Sequence, residues 1–134
     1  MDQKRILLID DEPDIVETIQ YCLELRGFRV DAAYDGLEAL RLARRNRYDL
    51  LVLDIMLPGK NGYEVSRILK QEIEEGKIKA FKVLVLTARR IESGEREDFL
   101  NTWSRADLMM YKPFEMDDLI DRIMELLAEE PVQA

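Results

Sequence analysis

Apolar residues along this chain follow two alternating patterns. Short unbroken runs, Ile6 to Ile9, Leu50 to Leu53 and Val83 to Leu86, are bounded by charged or turn residues and do not continue at helical spacing. Such runs predict strands buried on both faces. Between and after them, apolar positions recur three and four apart: Ile15, Ile19, Cys22 and Leu23; Leu37, Leu40 and Ala43; Val65, Ile68 and Leu69; Leu119, Ile120, Ile123 and Leu127. That spacing lays one apolar stripe along each helix, and these residues are expected to face the sheet, Cys22 among them as a small buried hydrophobe.

Local signals agree with the periodicity. Pro13 after Asp11-Glu12 and the patterns Asp35-Gly-Leu-Glu38 and Asn61-Gly-Tyr-Glu64 mark helix starts, while Gly27 and Gly76 mark helix ends. Two weaker strands are expected at Arg29 to Ala33 and Leu108 to Tyr111, and a helix over Ile91 to Arg105 carries the sparsest stripe, Ile91, Phe99, Leu100 and Trp103. The order βαβαβαβαβα predicts an α/β fold: a flavodoxin-like, doubly wound, five-stranded parallel sheet of order 2-1-3-4-5 with five helices. Residues 1–128 are expected to form one domain, with 129–134 a polar C-terminal tail or linker stump.

Composition narrows the chemistry. The 134 residues, 47% hydrophobic, suffice for a single core. A formal charge of −8 disfavours direct nucleic acid binding and anionic membranes. The one cysteine excludes an internal disulfide, and the N-terminal apolar stretch is far too short for a signal peptide or span, so a soluble, cytoplasmic protein is expected. With no histidine anywhere, Ser-His and Cys-His nucleophile pairs and histidine-bound zinc are excluded.

In a doubly wound sheet, ligands bind beyond the carboxyl ends of the strands, where strand order reverses. Here the first strand ends at Asp10-Asp11, the third at Asp54, the fourth at Thr87 and the fifth at Lys112. Each residue taken alone is bland: a loop cap, a filler threonine, a solvated lysine. Together they line one edge. Two carboxylates about 4 Å apart repel by roughly 4 kcal/mol at a surface-like dielectric, so Asp10, Asp11 and Asp54 call for a counter-charge or raised pKa values. An oxygen-only donor set with few protein ligands suits Mg²⁺ (or Mn²⁺) better than Ca²⁺, and Lys112 offers a point charge to an incoming anion.

Asp10-Asp11, Asp54 within Leu53-Asp-Ile-Met-Leu-Pro58-Gly59, Thr87-Ala88 and Lys112-Pro113-Phe114 together resemble the receiver domain of two-component response regulators, the CheY-like family, over essentially the whole chain. The resemblance implies a phosphorelay switch in which Asp54 accepts a phosphoryl group from a partner histidine kinase or phosphotransfer protein. It implies Asp11, Asp10, Asp54 and the backbone carbonyl of Met56 as the Mg²⁺ ligands. Thr87, the Ala88 amide and Lys112 would hold the phosphoryl oxygens, so that Asp54, Thr87 and Lys112 carry the reaction. The chain would promote its own phosphorylation and dephosphorylation without turning over a small molecule. An unknown effector domain or target protein would read the signal, and the chain would be a monomer or weak dimer.

Three positions depart from the family. Met109 stands where an aromatic switch residue is usual; Tyr111, two residues on and so on the same strand face, is the candidate substitute beside Thr87. Arg105 stands where glycine is common, and the spacings from Asp54 to Thr87 and from Thr87 to Lys112 each run a few residues long. Met56 and Arg89 hold variable positions that tune phosphoryl lifetime. A flavin carrier of the same fold class is disfavoured because Asp10-Asp11-Glu12 would repel the flavin phosphate. An aspartyl phosphohydrolase is disfavoured because Met56 stands where its second aspartate would be.

Overall fold

The computed structural model of the chain describes residues 3–55, 57, 62–87 and 105–128. Five strands, β1 (Arg5–Ile9), β2 (Arg29–Ala33), β3 (Leu50–Asp54), β4 (Lys82–Thr87) and β5 (Leu108–Tyr111), form one parallel sheet of order β2-β1-β3-β4-β5. Among the described residues there are four helices: α1 (Pro13–Leu25), α2 (Gly36–Arg45), α3 (Gly62–Glu74) and α4 (Met116–Ala128). The helix expected over Ile91 to Arg105 falls, apart from Arg105, outside the described residues, as do Trp103, Asn61 and the tail 129–134.

The unbroken apolar runs become strands because each successive side chain has a buried face to enter. Ile6, Leu8, Leu50, Val52, Leu84 and Leu86 join Val16, Ile19 and Leu23 of α1 and Leu119, Ile120 and Ile123 of α4 in one core. Their neighbours Leu7, Ile9, Leu51, Leu53, Val83 and Val85 join α2 and α3 through Ala39, Leu40, Val65 and Leu69 in the other. Burying each such aliphatic side chain contributes about 1.5–3 kcal/mol before entropy is charged. β5 alternates likewise, with Met109 in the α2–α3 core, Tyr111 packed against that same core, and Leu108 and Met110 against the opposite one.

Helix ends follow the chemistry read from sequence, with corrections. Asp35 accepts from the Glu38 amide at 2.8 Å, but the Glu38 carboxylate reaches the Tyr34 amide at 3.2 Å, one residue earlier than an ideal capping box. Gly27 and Gly76 close α1 and α3 at φ +91° and +74°, values that L side chains rarely adopt. Leu37, expected inward, is 64% exposed, because α2 turns Gly36, Ala39, Leu40 and Ala43 to the sheet. Cys22 is half-buried rather than buried, at the margin of a stripe centred on Val16, Ile19 and Leu23.

The amino edge of the sheet is pinned by two aspartates placed one residue before a strand. The Asp49 amide donates to the Arg5 carbonyl and the Asp49 carboxylate accepts from the Arg5 amide, both at 2.8 Å. Asp107 repeats the pairing with Val83, amide to carbonyl at 2.9 Å and amide to carboxylate at 2.7 Å, and adds the Lys70 ammonium at 2.7 Å. Both clasps set the register in which Ile6 meets Leu50 and Leu84 meets Leu108. Between α2 and α3, Arg44 pairs with Glu72 through two hydrogen bonds of 3.0 and 2.6 Å, which hold the Arg44 guanidinium above its ordinary pKa.

Candidate phosphoacceptor and cation site

At the carboxyl edge the register brings four strand ends together. Asp10 follows β1 and is fully buried; Asp54 and Thr87, the last residues of β3 and β4, are 4% and 1% exposed; Lys112 follows β5. Backbone bonds hold each in place. The Asp10 amide donates to the Ala33 carbonyl at 3.2 Å, the Ile55 amide to Leu86 at 3.1 Å, and the Lys112 amide to the Thr87 carbonyl at 2.8 Å. Because β1 and β3 are neighbours while their helices leave on opposite faces, Asp10 and Asp54 flank the switch point of the sheet.

The counter-charge that the acidic residues require comes from Lys112. Its ammonium donates to an Asp10 carboxylate oxygen at 2.9 Å and to an Asp54 carboxylate oxygen at 3.1 Å, across 102 and 58 positions of sequence. Burial alone would lower the lysine pKa, but the hydrogen bond and charge of Asp10 together with those of Asp54 outweigh it and hold the ammonium above its ordinary value. Among the described residues, one ammonium thus bridges two buried carboxylates. The other Asp10 oxygen accepts from the Glu12 amide at 3.0 Å, satisfying one of the free N–H groups at the start of α1.

Asp11 and Glu12 are exposed, and with Asp10 they set one carboxylate oxygen each within 4.8 Å of one another. Among the described residues this is the one group of three acidic or thiol ligands so close. Glu12 was passed over as a ligand in the sequence, although it continues the acidic run at the end of β1. The structure therefore gathers Asp10, Asp11, Asp54, Thr87 and Lys112 at one edge of the sheet. Met109, 3% exposed, lies in the α2–α3 core with Tyr111 partly buried beside it. Met56, Ala88 and Arg89 lie outside the described residues.

A doubly wound parallel sheet whose switch point holds buried carboxylates bridged by a lysine defines a class of α/β domain built to receive an anion with the help of a cation. The model of the response regulator receiver domain matches residues 6–124. The chain belongs to that family, the phosphorelay modules of two-component signal transduction. It is 39% identical over 131 residues to the alkaline phosphatase synthesis transcriptional regulatory protein PhoP of Bacillus subtilis, covering 98% of this chain and 51% of that protein. The chain spans about half the length of the curated relatives it matches.

Solved structures give the same placement. Response regulator TrrA of Thermotoga maritima, in complex with Mg²⁺ and BeF, is 37% identical with a TM-score of 0.76, over 92% of this chain and 99% of that one. The receiver domain of the sensor histidine kinase PA1611 of Pseudomonas aeruginosa, with a magnesium ion in its active-site cleft, is 29% identical with a TM-score of 0.79, over 96% and 100%. No helix among the described residues is long and apolar enough to cross a membrane.

Proposed function

We propose that Asp54 is the phosphoacceptor of this receiver domain and takes a phosphoryl group from a partner histidine kinase or phosphotransfer protein. The observation that carries this reading is the Lys112 ammonium bonded at once to Asp10 and Asp54, two carboxylates almost wholly withdrawn from water. A lysine placed this way partly offsets the acidic charge at rest, and it is within reach of a phosphoryl group bound to either oxygen of Asp54.

An ionised carboxylate needs no general base, so an Asp54 oxygen forms the P–O bond directly as the donor's P–N bond breaks and the electron pair leaves with the imidazole. Such a transfer depends on in-line positioning and charge stabilisation, which Lys112, Thr87 and the Ala88 amide supply in this reading. The missing histidine is no obstacle, because the donor carries it.

The donor set fits Mg²⁺ or Mn²⁺: every group is an oxygen, and Asp11 and Glu12 stand exposed with one carboxylate oxygen each close to Asp10. Asp10, Asp11, Asp54 and the Met56 carbonyl would hold the ion, which supplies positive charge to the phosphoryl oxygens. Thr87 is the switch hydroxyl in this reading, with Met109 and Tyr111 at the strand positions that accompany it, both packed in or against the α2–α3 core. The receiver unit spans residues 1–128, with 129–134 a polar tail or linker stump, and an effector domain or target protein reads the signal. A cytoplasmic location and no small-molecule turnover complete the reading. Incubating wild type and Asp54→Asn with a small phosphodonor and Mg²⁺, followed by intact mass, tests it: wild type gains one phosphoryl group and the variant none.

A further inference from the structure

Gly62 opens α3, and nothing about its backbone demands glycine, in contrast to Gly27 and Gly76, which need a positive φ and have no atom within 4 Å of an added Cβ. The constraint at Gly62 is steric. A Cβ there would lie 2.3 Å from the Asp54 carbonyl oxygen, 2.6 Å from the Ile55 Cα and 2.9 Å from the Asp54 carbonyl carbon. All three atoms belong to the backbone that joins Asp54 to Ile55, so no side chain can rotate out of the way.

That peptide is gripped from both sides. Its amide donates to Leu86 of β4 at 3.1 Å, and the Ile55 carbonyl accepts from the Gly62 amide at 2.8 Å and from the Leu57 amide at 3.1 Å. The Leu57 and Gly62 amides thus converge on one oxygen, and the first turn of α3 rests on the backbone that carries the Asp54 carboxylate. We infer that Gly62 is a positioning residue for Asp54. By admitting the helix to direct backbone contact, it fixes the carboxylate relative to Asp10 and Lys112, and any side chain at this position displaces the acceptor oxygen from its line of attack.

The inference rests on Asp54 being the acceptor, and its test separates the two. Phosphorylation of the full chain by a small phosphodonor is followed at saturating Mg²⁺ for wild type, Asp54→Asn, Gly62→Ala, Gly62→Ser and Gly76→Ala, with rates normalised to the folded fraction in each sample. Misplacing a reacting group by an ångström costs roughly 10- to 100-fold in rate, and that fall is expected in the maximal rate of Gly62→Ala. Gly62→Ser should fall at least as far, because it carries the same Cβ. Gly76→Ala should lose stability through its positive φ yet keep the wild-type rate, so destabilisation alone does not explain the loss.

Asp54 and Ile55 amide resonances should shift in folded Gly62→Ala and stay put in Gly76→Ala. A folded Gly62→Ala with the wild-type maximal rate overturns the inference, as does a folded Gly62→Ser that keeps it. A Gly62→Ala chain that never folds also overturns it, by making Gly62 a folding determinant instead. Modification surviving in Asp54→Asn defeats the choice of acceptor, a separate result.

Discussion

The two edges of the sheet use the same residue type to opposite ends. At the amino edge, Asp49 and Asp107 are each bonded to a backbone amide of the neighbouring strand, and Asp107 also to Lys70. Their carboxylates are engaged in holding register. At the carboxyl edge, Asp10 and Asp54 are more deeply buried and are bridged by the Lys112 ammonium, and Asp11 and Glu12 add further carboxylates at the rim. Withdrawing carboxylates from water costs stability even when they are paired, so the carboxyl edge is the place where the fold gives up stability in return for a ligand site, and the amino edge is where it recovers order.

The sharpest way to break that contrast is to remove one aspartate from each edge. Asp54→Asn should abolish phosphoryl uptake from a small phosphodonor, whereas Asp107→Asn should leave it at the wild-type level; intact mass reads both. Uptake lost in both variants would mean that the edges are not functionally distinct.

Next in size is the lysine. Lys112→Met removes the ammonium that bridges the two buried carboxylates, and should cost about 3–5 kcal/mol in urea denaturation without divalent cations. Millimolar Mg²⁺ should restore part of that loss. The wild-type contact also has a pH signature. Because the folded pKa of Lys112 is raised, its stabilisation is full below the ordinary lysine value of 10.5 and is lost as pH climbs through the higher folded value. Urea midpoints that decline already in the neutral range on account of Lys112 would contradict the bridging geometry.

A smaller effect is expected at the opposite edge. Asp107→Ala strips the Val83 amide of its acceptor and leaves Lys70 the Phe81 carbonyl in place of an ion pair, and should cost about 1–3 kcal/mol, the same with or without Mg²⁺. A magnesium-dependent loss there would blur the comparison. Smallest is Arg105, held at φ +56° just before β5 and paired with Glu74. A left-handed L-residue costs about 1–2 kcal/mol and a surface ion pair returns 0–1, so Arg105→Gly should raise the melting temperature slightly without changing phosphorylation.

Much of this molecule was legible from its sequence because strands, helix caps and helix stops are decided locally. Five β strands, four of the helices and the sheet order follow from runs of apolar residues and from Pro13, Asp35, Gly27 and Gly76, each acting within a few residues of itself. That Asp10, Asp54, Thr87 and Lys112 end their strands is likewise a local fact, and parallel topology then puts them at one edge. Amphipathic stripes were read less well: Leu37 points to solvent and Cys22 sits at a margin, since a 3.6-residue period fixes the spacing of a stripe but not the rotation that sheet packing selects.

What the sequence alone determined is the alternation of elements and the edge at which the chemistry gathers. Only the tertiary structure decided the pairings made across long separations: Lys112 between Asp10 and Asp54, Asp107 on Val83, and α3 against the peptide after Asp54. The physical reason is reach. Propensity and periodicity act through neighbours along the chain, whereas a hydrogen bond spanning 102 positions or a contact too close for a Cβ exists only once the sheet has closed and the helices have settled on it.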